Sequence, residues 1–133
     1  MISRPLASGL ILVSLSLLLS ACVVPPPQQQ PGLMDVAERP AEKALLAGIR
    51  AYEDAQYPQA EKLLTQALKD GLSSPRDRAA ANKHLAFIYC TSQRVPACED
   101  AFRAARAADP AFALTKSEAG HPQWGPVYQR MRQ

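Results

Sequence analysis

The sequence is short of glycine and of aromatic residues. Six glycines in 133 residues leave few positions for left-handed turns, and an aromatic share of 6% makes any core a modest one. Charge is sparse too, with 15 lysines and arginines against 12 aspartates and glutamates and a formal net of +3. No run of five or six basic residues occurs, which argues against nucleic-acid binding. β-Branched residues are scarce and no alternating apolar–polar stretch survives a scan, so a sheet is not expected. A Gly-rich phosphate loop, a Gly-x-Ser-x-Gly elbow and a paired acidic motif are all missing, so catalysis is not expected. The length admits one small domain. A large multidomain enzyme is excluded.

What is present begins with an export signal. Arg4 and the amino terminus give a positive start, and Leu6 to Ser20 form an apolar stretch dominated by Leu and Ser. A spanning helix needs about 20 apolar residues, so this stretch reads as a signal peptide. It ends in Leu19-Ser20-Ala21-Cys22, which resembles the lipobox of bacterial lipoproteins. The resemblance implies diacylglycerol on the Cys22 sulfur, cleavage before it, and acylation of the new amino group. One acyl chain binds a membrane marginally, whereas two or more hold it stably. Val23 and Val24 follow with no aspartate at the second position. By that family's sorting rule the destination is the outer membrane, with the domain facing the periplasm. The competing reading is an ordinary secreted protein with a cysteine at that point.

Residues 22–34 read as the lipidated cysteine and a Pro/Gln-rich tether. The eight residues Pro25–Gly32, as polyproline II at about 3.1 Å each, reach roughly 25 Å from the lipid. A ligand for a proline-binding groove is the alternative. A tether carries no chemistry.

Residues 35–133 read as the folded domain, and their punctuation is helical. Pro40, Pro58, Pro75 and Pro96 stand where first helical turns should start, and Ser74-Pro75 with Asp77 reads as a cap, an N1 proline and a dipole-favourable acid. Helices are expected at about 38–54, 58–70, 75–91 and 96–108, with a short one from Pro126.

The helices pair, and the pairs carry a repeat. A frame starting at Ala41 places Gly48, Ala60 and Ala67 on small positions and Leu64 on a large one. A frame starting at Ala79 places Ala86 and Cys98 on small positions, with Leu85, Tyr89 and Phe102 large and Pro110 terminal. This pattern resembles the tetratricopeptide repeat, with an unrelated helical bundle as the alternative. It implies an all-α fold of two tetratricopeptide-like helical hairpins plus a short C-terminal capping helix. Two repeats need a cap, and Phe112, Leu114, Trp124 and Tyr128 are placed to supply it.

Cys90 and Cys98 remain once Cys22 is lipidated. In an oxidising envelope an even pair suggests a disulfide across the second hairpin's turn. Two reduced core thiols, or metal ligation with His121, stay open as alternatives, although a spacing of seven residues matches no zinc pattern.

A hairpin array offers a concave face lined by its first helices. That places Leu45, Ile49 and Tyr52 beside Lys83 and Phe87, a strip suited to a partner helix or an extended peptide. The same residues equally suit burial of the chain's own tail. Trp124 is either an interface anchor or a core residue.

The run His84-Leu85-Ala86-Phe87-Ile88-Tyr89-Cys90, then Cys98, Phe102 and Asp109-Pro110-Ala111-Phe112, then Glu118-Ala119-Gly120-His121-Pro122-Gln123-Trp124-Gly125-Pro126-Val127-Tyr128, resembles the TssQ-type lipoproteins associated with type VI secretion. The likeness covers roughly the C-terminal half. It implies an accessory lipoprotein near the membrane complex of that machine, with secretion-machine proteins as partners and no cofactor or small-molecule substrate. Other readings are a pilotin or envelope-assembly lipoprotein of another machine, and a cell-wall-binding lipoprotein.

Overall fold

The computed structural model describes residues 39–132, and every described element is helical. In order these are α1 (Pro40–Glu53), α2 (Tyr57–Asp70), α3 (Pro75–Thr91), α4 (Val95–Ala108), α5 (Lys116–Ala119) and α6 (Gly125–Met131). The fold is all-α, with α1 paired to α2 and α3 to α4. The expected signal peptide (1–21), Cys22 and the tether (22–34) lie outside the described residues, as does the expected domain start at 35.

Helix starts follow local chemistry. Proline occupies the first or second helical position of α1 to α4, where its missing N–H costs no hydrogen bond. At α3 the Ser74 hydroxyl accepts from the Asp77 N–H at 3.3 Å. The α2–α3 link turns at Gly71, whose φ of 87° is left-handed. Arg78 then donates to the Leu72 and Ser73 carbonyls at 2.8 and 3.0 Å, which satisfies this link from within.

The two hairpin turns are built identically. Helix α1 ends with Ala55 at φ 59° and α3 with Gln93 at φ 64°. Behind them the Gln56 N–H bonds the Ala51 carbonyl and the Arg94 N–H bonds the Tyr89 carbonyl, both at 2.8 Å. The Ala55 and Gln93 N–H groups reach Tyr52 and Cys90. This is a Schellman ending written twice, 38 residues apart.

Small residues then set the helix separation. Ala60, Leu64, Ala67, Ala86, Cys98, Phe102 and Ala105 are all completely buried. A Cβ on Gly48 would stand 2.8 Å from Leu64 Cγ, so only glycine lets α1 approach α2 this closely. Helix α3 is central, in contact with α1, α2 and α4, and buries residues round most of its circumference. Tyr89 departs from the expected interior role. It is half-buried at the rim, where Arg94 stacks over its ring at 4.4 Å and also forms a two-pronged pair with Glu61 at 2.9 and 2.7 Å.

The C-terminal cap divides into two parts. Helix α6 closes the end of the stack, burying Val127 and Tyr128 with the Tyr128 ring 5.3 Å from Phe102. It starts at Gly125, one residue before the expected Pro126. The other part is α5, a helix beyond those expected from the sequence. Thr115 and Glu118 form a reciprocal capping box around it, and none of its residues is buried.

Candidate functional site

The concave face is the candidate site, and it is built from α1 and α3. Residues on α1 at positions 45, 49 and 52 share one helical face, as do residues 80, 83, 84 and 87 on α3. The structure brings the two sets together through an aromatic row. Tyr52 lies 5.2 Å from His84 and 6.2 Å from Phe87, ring centre to ring centre, and His84 lies 6.1 Å from Phe87. His84 donates from Nδ1 to the Ala80 carbonyl at 2.7 Å, which satisfies it within its own helix.

The expected residues fare differently along this strip. Leu45 and Phe87 are core, 5% and 3% exposed. Ile49 and Tyr52 are half-buried against that core and keep an outward side. Phe87 is roofed by Trp124, stacked at 4.2 Å with 23° between planes. Lys83 spans to Glu118 at 2.7 Å, with both side chains about a quarter exposed. The second hairpin's share of the strip is thus taken by the chain's own segment 116–124. The first hairpin's share, Ile49 and Tyr52, carries no ion pair or aromatic stack from that segment. Trp124 is half-buried, so it belongs to the cap and to the strip at once.

Three partners of this cluster were not among the expected site residues. His84 is visible in the sequence three residues before Phe87, on the same helical face. Glu118 is signalled by the Thr115-x-x-Glu118 capping box. His121 stacks on Trp124 with ring centres 3.4 Å apart and planes 3° off parallel. It reaches the cluster only through the loop's tertiary path.

The electrostatics follow from burial. Loss of water around His84 lowers its affinity for a proton, and the Lys83 ammonium adds to this against the Ala80 bond. Burial alone would raise the Glu118 carboxyl, but the Lys83 ammonium and the Thr115 N–H outweigh it and hold the group below its usual range. Burial also raises the Tyr52 hydroxyl.

Cys90 and Cys98 form a disulfide, with Cα atoms 5.2 Å apart, at the turn end of α3 and α4. His121 lies with Trp124 instead, and among the described residues no group of three His, Cys, Asp or Glu is placed to hold a metal ion. No described helix is long and apolar enough to cross a membrane. No family model, no curated protein and no solved structure matches this chain.

Proposed function

We propose that this chain is an outer-membrane lipoprotein that docks a protein partner on the concave face of its hairpins, as an accessory component of a type VI secretion system. The observation that carries the docking half is the aromatic row Tyr52–His84–Phe87, which runs across both hairpins with Ile49 and Tyr52 still half-exposed at one end. Apolar side chains held on rigid helices at helical spacing suit a partner helix or extended segment. Support for the anchoring half is the Leu19-Ser20-Ala21-Cys22 box, and support for the secretion setting is the Gly120–Tyr128 box and the sequence around it.

The test is mass spectrometry of the mature chain followed by crosslinked capture from native membranes. The expected results are acyl mass on Cys22 and recovery of type VI membrane-complex or sheath proteins. Unacylated mature protein overturns the anchor. Recovery of a secretin or a barrel-assembly factor moves the function to another envelope machine, and sedimentation with purified peptidoglycan moves it to cell-wall binding.

A further inference from the structure

The loop that roofs Phe87 is organised by its own hydrogen bonds before it touches the groove. The Thr115–Glu118 capping box closes its first turn. The Trp124 indole N–H donates to the Glu118 carbonyl at 2.8 Å, and the Gly125 N–H donates to the His121 carbonyl at 2.8 Å. Even Gly125 is required by this fold-back, since a Cβ there would collide with the Ala119 carbonyl. The result is a preformed unit, residues 115–125, that presents one carboxylate and one indole side by side.

That unit holds the groove by side chains alone. Helix α5 packs on α6 and does not pack on α3. Apart from Ala119, which rests half-buried against the core, its grip on the concave face is the Lys83–Glu118 pair and the Phe87–Trp124 stack. The firm attachment lies further on, where Val127 and Tyr128 are buried. Lifting the unit breaks those two contacts and the Tyr128 N–H bond to the Trp124 carbonyl, and leaves its internal bonds intact.

We propose that segment 115–125 is a displaceable strap, a ligand in cis for a peptide site centred on Lys83 and Phe87. The partner segment that replaces it carries an aromatic side chain beside a carboxylate. This inference rests on the concave-face docking proposed above and names its partner chemistry. Charge complementarity commits the site to that partner, because Lys83 meets a carboxylate while Phe87 and Tyr52 continue as an aromatic floor. A strap that is closed most of the time lowers the apparent affinity for the partner by the fraction of chains that stand open.

The probe is a fluorescent synthetic peptide of residues 115–126, titrated against the full-length chain in detergent. Trp124→Ala should bind it at least about tenfold more tightly than the wild type, because the competitor in cis is lost. Adding Lys83→Glu should remove that gain. A folded Trp124→Ala chain that binds no tighter than wild type overturns the proposal. Should that variant not fold, hydrogen exchange on the wild type decides. The Tyr128 amide, whose bond to the Trp124 carbonyl breaks on lifting, exchanging at least about tenfold faster than the amides of 130 and 131 in the same helix supports a strap that opens by itself, and equal protection overturns it. The titration uses no secretion component, so its failure leaves the anchoring and capture results unaffected.

Discussion

Ala55 and Gln93 stand at the same point of the two hairpins, each in left-handed backbone with φ near 60°. A side chain in this region costs about 1–2 kcal/mol, and glycine's extra freedom in the unfolded chain returns roughly 0.5–1 of that. Ala55→Gly and Gln93→Gly are each expected to stabilise by about 0.5–1 kcal/mol, worth several degrees in a domain this size. Thermal unfolding followed by circular dichroism checks this. A lower midpoint for both would contradict the turn assignment.

Gly48→Ala should act in the opposite sense. The added methyl meets Leu64 Cγ at 2.8 Å and the Leu64 backbone nitrogen at 3.1 Å, and the backbone atom has no room to yield. Overpacking of this kind costs about 1–3 kcal/mol, against nearly 1 kcal/mol regained in helix propensity. The expected net change in urea unfolding is a loss of up to about 2 kcal/mol. Leu64→Ala combined with it should cost less than the sum of the two single changes, because both act on the same contact.

Reduction should weaken the second hairpin. Cys90 and Cys98 are eight residues apart in sequence, and closing so short a loop contributes about 2–3 kcal/mol in the chain-entropy view. The double variant Cys90→Ala/Cys98→Ala is expected to unfold at lower denaturant with helical content retained in the native baseline. An unchanged midpoint in excess reductant would show that the bond adds no stability.

Acid should destabilise the domain through His84. Its folded pKa lies below the ordinary 6.5, chiefly because burial penalises the imidazolium. The unfolded chain therefore binds the proton better, so stability is full above about 6.5 and falls as pH drops through that value toward the folded pKa. The groups facing it are Lys83, Glu53, Glu118, Tyr52 and Phe87. Glu118 has its own lowered pKa and adds a loss at more acidic pH, as its carboxylate is protonated away from Lys83. His84→Phe should flatten the stability profile just below about pH 6.5 and leave the more acidic loss in place.

Much of the fold was legible because it rests on local choices. Proline at helix starts, the Ser74 cap, and small residues at Gly48, Ala60, Ala86 and Cys98 each act within a turn or between neighbouring helices. The 38-residue period survives in the structure as two matching turns. Helix α5 escaped because four residues with no buried face have no periodicity to read, although its capping box was there in Thr115 and Glu118.

The state of the concave face belongs to a different scale. Leu45, Ile49, Tyr52, Lys83 and Phe87 can be assigned to that face from helical spacing alone. Whether Lys83 and Phe87 are covered depends on Glu118 and Trp124, which are 35 and 37 residues further along the chain. Such contacts are set by where α6 anchors on Phe102 and by how the loop 115–125 folds on itself. Amino-acid order by itself determined the helix starts, the pairing of the hairpins and their close packing, since these follow from side-chain size and local capping, whereas the left-handed turns at Ala55 and Gln93 run against backbone preference. Only the tertiary structure decided which half of the groove is occupied, because occupancy is a competition between distant groups that local preference does not encode.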